Sequence, residues 1–317
     1  MEPPQLKNVY LPVIILLIFA FLVMLFPPFS VILGIVAPAP IIFLSLQWGR
    51  GPGMILIVLI LGSLLAFIGP GQAMTFLVEY VVLALIMSES IRMRLEFDKC
   101  IFFSAVASGI LTALLLFVLI GGNEEGSLTE YFHQQVKEQL KGALETAEAD
   151  GENPADLQAA EEFMERAAQM IASSYPAFIM VGTFIAAILN YAMVRLLWIR
   201  FYGRELFSEK KFYEWIIPDP PIWLLISSVL VLVLAEGGIE TVALNIFVVM
   251  VFLYFLQGLA ITVYFLKSRN VAVFLWVILF VVMLIQPILM GLVVGIGVFD
   301  MWVDFRKLRR VEENSAD

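Results

Sequence analysis

Residues 241–266 read TVALNIFVVMVFLYFLQGLAITVYFL, twenty-six positions without an acid or a base. An α-helix rises about 1.5 Å per residue, and about 20 apolar residues cross the hydrocarbon of a bilayer. This stretch is long enough to span and carries no charge into lipid. The rest of the 317-residue chain agrees: 61% of residues are hydrophobic and only 15% charged, with a mean hydropathy of +0.95. That leaves too little polar surface for the skin of a soluble domain.

Further runs of spanning character are Tyr10–Phe26, Val31–Gln47, Pro52–Ile68, Ala73–Ile91, Ile101–Ile120, Tyr175–Trp198 and Pro221–Glu236. The first ends in Phe26-Pro27-Pro28-Phe29, which does not resemble a signal-peptide cleavage site, so it reads as a retained helix. The last apolar block, Val271–Phe299, is interrupted at Gln286-Pro287. Proline removes a backbone donor and clashes with the preceding turn, so the block is either one kinked helix or a hairpin of two short ones. The fold class is therefore all-α, a polytopic membrane bundle. Ten crossings agree with a cytoplasmic C-terminus, nine with a kink, and eight with a re-entrant early pair.

Basic residues mark the orientation. They occur in alternate connections: Arg50; Arg92, Arg94 and Lys99; Arg200, Arg204, Lys210 and Lys211; Lys267 and Arg269. The connections between them, 27–30, 69–72 and 237–240, hold none. The N-terminus and the Arg306–Arg310 tail are then cytoplasmic, in a bacterial inner membrane. The formal charge of −9 is carried entirely by residues 121–174, which are then extracytoplasmic. No basic surface for nucleic acid is present.

That acidic insert reads as a helical hairpin. Ser127-Leu-Thr-Glu130 fits a capping box, and Leu128, Phe132, Val136, Leu140 and Leu144 follow at helical spacing. After a turn at Asp150–Pro154, Leu157, Ala160, Met164, Ala167 and Ile171 form a second stripe. The organisation is thus 1–120 membrane helices, 121–174 acidic hairpin, 175–305 membrane helices and 306–317 tail.

Polar groups at membrane depth face a cavity or a partner. Glu79 lies within its span, and Asn190 and Arg195 lie in the sixth helix. Tyr254, Gln257 and Tyr264 follow a seam with Ile261, and Gly258 admits a close neighbouring backbone. Glu79, Asn190, Tyr254, Gln257 and Tyr264 are the candidate substrate contacts. Arg195 could equally snorkel, Gln257 could equally bind a neighbouring helix, and Glu236 and Glu240 read as solvated. There is one histidine and one cysteine, Cys100, so a metal cluster or an intrachain disulfide has no material. Gly49-Arg-Gly-Pro-Gly53 lacks the Lys-Ser/Thr ending of a phosphate-binding loop and reads as a cytoplasmic turn. HExxH, GxSxG and CxxC are also missing, so no enzyme and no cofactor is expected.

Four strings resemble the YybS-like family of bacterial integral membrane proteins. They are Asn190-Tyr-Ala-Met-Val-Arg195-Leu-Leu-Trp198, Phe212-Tyr-Glu-Trp-Ile-Ile-Pro218-Asp219, Gln257-Gly258-Leu-Ala, and Gly297-Val-Phe-Asp300-Met-Trp302-Val-Asp-Phe305-Arg306-Lys307. The resemblance extends over nearly the whole chain outside the insert. That family is distantly similar to the substrate-binding S subunits of energy-coupling-factor transporters and to MreD-like proteins. The similarity is greatest at Pro38-Ala-Pro40 and Gly49–Gly53. The resemblance implies a helical bundle with an outward-facing pocket, working with a separate ATPase or coupling subunit. The alternative is a scaffold or regulator of a cell-envelope complex. The added helices and the acidic insert depart from S subunits.

Overall fold

A computed structural model describes residues 35–67, 69–121, 133–134, 136–137, 154–203, 206–208 and 210–308. The first helix, Tyr10–Phe26, most of the first arm of the acidic insert and the end of the tail lie outside the described residues. Within them the chain is helices and turns, with no strand. In chain order the helices are α1 Pro38–Trp48, α2 Arg50–Phe67, α3 Pro70–Phe76, α4 Val82–Arg92, α5 Phe97–Gly121, α6 Pro154–Ser173, α7 Tyr175–Tyr202, α8 Pro221–Leu234, α9 Gly238–Ser268, α10 Val273–Ile285 and α11 Pro287–Val303.

Three of these contain a stretch long and apolar enough to cross a bilayer: Phe97–Val118, Tyr175–Tyr202 and Gly238–Ser268. The α10–α11 pair makes a fourth if the two arms are one span, but they are bent by 106°. The bend sits where the sequence breaks. Gln286 is extended (φ −105°, ψ 102°), and Pro287 opens the second arm. It is sharper than a kink in one straight span and short of an antiparallel hairpin. Proline starts α1, α3 and α8 as well, where its missing N–H has no helical partner to lose.

The sequence run Ala73–Ile91 is one continuous helical path with an irregular middle. α3 passes into α4 through a π-turn at Leu77–Val81. One extra residue in a turn loosens the local hydrogen-bond ladder, a feature recurrent at functional sites. The Glu79 backbone lies in that turn.

Contacts divide the chain into two compact units along lines different from the sequence blocks. One unit holds residues 1–125 and 179–208, the other 126–178 and 209–317. The physical reason is α7, a single 28-residue helix that begins among residues of the second unit and ends among those of the first.

In the first unit α1 packs on α2 and α4, and α4 packs on α5. Phe43 on α1 is fully buried and meets Trp198 of α7 edge-on, at 5.8 Å between ring centres. Gly109 on α5 lets α7 approach, since a Cβ there would stand 3.0 Å from Met180 and Thr183 side-chain atoms. The turn at Gly49 (φ 91°) uses a left-handed conformation that glycine adopts without penalty.

In the second unit α9 is the axis, packed against α8 and α11. A Cβ on Gly258 would overlap the Val293 carbonyl, and one on Gly297 would overlap that of Tyr254. The two glycines thus allow backbone-to-backbone contact between α9 and α11, the usual means of tight helix association in lipid. At the far end of α9, Asn245 ties α6 and α7 to it. Its Nδ2 donates to Ser173 O (2.9 Å), and its Oδ1 accepts the Ala177 N–H (2.8 Å). Those are orphan backbone groups at the junction of two helices, which otherwise need water or a cap.

α6 is the amphipathic element. Ala168 and Ala172 are buried, while Phe163 is 73% exposed. Glu165 accepts from Lys137 (2.8 Å) and lies 3.2 Å from the His133 ring nitrogen. The hydrogen bond from Lys137 is the main reason the Glu165 carboxyl lies below its ordinary range. Large apolar side chains such as Phe117 (64% exposed) and Val233 (77% exposed) face outward from the membrane helices, the surface that lipid covers.

Replacing Gly258 by leucine should separate α9 from α11. Overpacking costs about 1–3 kcal/mol even in adaptable cores, and here the obstacle is backbone. The purified variant in detergent is expected to melt several degrees lower, whereas Gly291→Leu, with open space at its Cβ, should melt near wild type. Equal melting of both variants with wild type would remove the glycine contact as a stabilising element.

Candidate functional site

Asp300 lies on the last turn of α11 and is 1% exposed. A carboxylate buried this deeply needs donors on both oxygens. The chain supplies them by reversing just past the helix. Asp304 adopts a left-handed conformation (φ 48°, ψ 59°), which turns the following residues back. The Phe305 N–H then donates to Asp300 Oδ1 at 3.0 Å. The Arg306 guanidinium, also buried, donates through Nη2 to Asp300 Oδ2 at 2.9 Å. Gln257 Nε2, from α9, donates to the same oxygen at 3.0 Å.

The network continues into the connection before α8. Gln257 Oε1 accepts the Ile217 N–H at 2.7 Å, and Arg306 Nη1 donates to Tyr213 O at 2.8 Å. Beside it, Lys267 Nζ donates to the Tyr213 hydroxyl at 3.0 Å and stands 4.4 Å from that ring's centre. This hydrogen bond holds the Tyr213 phenol below its ordinary value. Arg306 Nε and Asp304 Oδ2 are buried without a partner. Three of the four family-like strings thus converge here through Gln257, Tyr213 and Ile217, and Asp300 with Arg306.

Tyr254 (2% exposed) and Gln257 (1% exposed) are therefore held within the protein. Tyr264 is half-buried, its ring 6.4 Å from Tyr213. Pro218 and Asp219 are exposed, and Asp219 O accepts the Ile222 N–H as α8 begins. Trp302 is 59% exposed and packs on Phe299. Both ends of the Gln257 amide are engaged, so this seam joins helices.

The first unit is organised differently. Glu89 on α4 holds Arg50 in a two-pronged pair (2.9 and 2.6 Å) and Arg92 through one oxygen (2.9 Å). Arg92 also donates to the Ser45 carbonyl and lies 3.2 Å from its hydroxyl. Glu89 so fixes the turn around Gly49, joining the end of α1 to the start of α2. Sequence reasoning passed over Glu89, Ser45 and Asn245. The i,i+3 spacing of Glu89 and Arg92 was visible, but Arg50 is 39 positions away and no local signal links them.

Deeper in this unit the polar groups are left incomplete. Asn190 is fully buried. Its Nδ2 donates to Ile35 O and Ala186 O, each at 2.7 Å, while its Oδ1 has no partner. On α5, Ser104 donates to Cys100 O (2.7 Å) and Ser108 to Val78 O of the π-turn (3.4 Å). Thr112, one turn further and 6% exposed, has no partner for its hydroxyl. Both polar atoms of the Gln47 amide are likewise buried and unpartnered. Among the described residues Arg195 donates only to Ser208 O, at 3.4 Å. Trp198 is sandwiched by Phe43 and Tyr202. Cys100 is a buried free thiol whose Sγ lies 3.5 Å from Leu95 O.

Elsewhere, an open apolar cleft of about 370 Å³ lies at the α10–α11 bend, between Val282, Ile285, Ile288 and Leu289, with Gln286 its one polar side chain. Among the described residues no group of three or more acids, histidines or cysteines could hold a metal.

A family model described as "Predicted membrane protein (DUF2232)" matches residues 13–301. No curated protein and no solved structure matches the chain.

The Asp300 network generates a mutational order. Arg306→Met leaves a buried carboxylate short of its counter-charge, a loss of about 3–5 kcal/mol. The double variant Asp300→Leu/Arg306→Met removes both charges and should regain part of that loss. Detergent thermal melts of the three proteins check it, and a single variant as stable as wild type would contradict the role given to this pair.

Proposed function

We propose that this chain, which belongs to the DUF2232 family of predicted membrane proteins, is a membrane-embedded solute-binding subunit. It has no ATPase or catalytic centre of its own and works with a separate coupling subunit. The observation that carries this reading is the set of unpartnered buried acceptors and donors in the first unit: Asn190 Oδ1, Thr112 Oγ1 and the Gln47 amide. A buried polar group without a partner costs about 1–3 kcal/mol. A fold that tolerates several is suited to a solute that supplies the missing partners. The π-turn carrying Glu79 belongs to the same unit, as do the Pro38–Pro40 and Gly49–Gly53 strings that resemble the S subunits of energy-coupling-factor transporters. The polar seam on α9 is assigned to packing, so the solute is placed with the first unit.

The charge pattern supports a bacterial inner membrane location, with the N-terminus and the basic tail in the cytoplasm and the acidic insert outside. A second reading, a scaffold for a cell-envelope complex, is favoured by one feature. The Asp300–Arg306 pair fixes the base from which the basic tail leaves. In that case the tail and α6 would be docking surfaces.

Purified protein should gain melting temperature with one member of a panel of cations, water-soluble vitamins and lipid precursors. Asn190→Leu should lose that gain; without ligand it removes an unpaired acceptor but also the bonds to Ile35 O and Ala186 O, so the ligand-induced shift and not the basal melting is the readout. No gain across the panel would overturn the solute reading. Retention of a crosslinked envelope partner in wild type, lost on deletion of 126–172, would favour the scaffold.

A further inference from the structure

Arg195 is a guanidinium that holds no carboxylate among the described residues. It stands on α7, seven residues before the last, about 10 Å along the axis from that end. Its Nε is buried without a partner. Its one hydrogen bond among the described residues, Nη2 to Ser208 O, is 3.4 Å long, the outer edge of the range. A guanidinium carries five N–H donors in a planar fork, so most of this one is unspent. Arg50, Arg92 and Arg306 each hold a carboxylate, whereas no carboxylate among the described residues pairs with Arg195. Arg195 is half-buried, and its Nε is shielded from water while the tip of the fork is not.

Tyr191 supplies the second group. It lies one turn earlier on the same face of α7, and its phenol is within electrostatic reach of Arg195. The ring is fixed edge-on to Phe207 at 5.6 Å and leans on Phe97 at 6.4 Å. No hydrogen bond from its hydroxyl occurs among the described residues. Cys100 and Asp98 also act electrostatically on Tyr191, and Asp98 accepts the Lys99 N–H at 2.9 Å. The result is a guanidinium fork and a phenol one turn apart on one face of α7, with Phe207 and Phe97 beside the phenol ring.

We infer that Arg195 and Tyr191 form an oxyanion-binding site that takes a phosphate group, borne by an anionic lipid headgroup or by a free phosphate. Bidentate pairing of a guanidinium with phosphate oxygens is among the strongest charge-assisted hydrogen bonds, and a lysine cannot reproduce its geometry. By the charge pattern this end of α7 is at the cytoplasmic leaflet, where anionic lipids are enriched. The site is separate from the solute reading above and uses none of its carrying atoms.

The test uses the full chain in neutral detergent. One arm titrates inorganic phosphate against sodium chloride at matched ionic strength. A second adds phosphatidylglycerol or phosphatidylcholine and follows melting temperature and retained lipid by native mass spectrometry. Wild type should be stabilised by phosphate, by phosphatidylglycerol, or by both, which tells the free ion from the headgroup. Arg195→Gln should bind about tenfold more weakly or worse, Arg195→Lys in between, and Tyr191→Phe a few-fold more weakly. Without ligand, Arg195→Gln should melt no lower than wild type, since it removes an unpaired charge. If it fails to fold, the Lys and Phe variants carry the comparison. No stabilisation of wild type by either probe, or equal stabilisation of all variants, overturns the site.

Discussion

Hydrocarbon offers no hydrogen bonds, so every polar group carried into the membrane must find its partner within the protein. This constraint shapes the backbone first: the described residues are helices and turns, and their outward surface is apolar. It then decides the fate of each polar side chain. A buried amide or carboxylate either becomes a joint between helices or stays incomplete. Both outcomes occur here: the Asp300–Gln257 joint is completed, while Gln47, Thr112, Asn190 and Arg195 of the first unit and Asp304 and Arg306 of the second keep an unpartnered atom.

In the second unit the central carboxylate and amide are completed, while Arg306 Nε and Asp304 Oδ2 at its edge are not. Asp300 receives the Phe305 amide, the Gln257 amide and the Arg306 guanidinium, and Gln257 and Arg306 extend the network to Ile217 and Tyr213. A buried ion pair of this kind is weak evidence for net stability, because desolvating two charges offsets their attraction. Its value lies in register. Only one setting of α11 against α9 places Asp300 opposite Gln257 while Gly258 and Gly297 meet the facing carbonyls. Asn245 does similar work at the other end of α9, closing the junction between α6 and α7.

The first unit combines a closed rim with an unfinished interior. Arg50, Arg92 and Ser45 around Glu89 hold the Gly49 turn. Asn190, Thr112 and Arg195 keep unpartnered atoms. The π-turn belongs with them, since its Val78 carbonyl is the acceptor for Ser108. Structures that bind something polar within a membrane need such groups, whereas structures that only hold themselves together tend to use them up.

Much of the fold was legible along the chain. Hydrophobic runs near the span length set the helical class, Pro221 marked a helix start and Gln286-Pro287 a break, whereas the starts at Pro38 and Pro70 differ from the runs read as Val31–Gln47 and Ala73–Ile91. Glycine at 258 marked a close approach. These are local properties of a residue and its neighbours. Gln257 and Asn190 were recognisable as polar groups at depth, but not which of them would be used up. That depends on Asp300 and Ile217, 43 and 40 positions from Gln257, and on Ile35, 155 positions from Asn190. The sharp angle at Gln286 and the sharing of α7 between two units are of the same kind. Spacing along a helix tells which residues share a face, but only packing tells what that face meets.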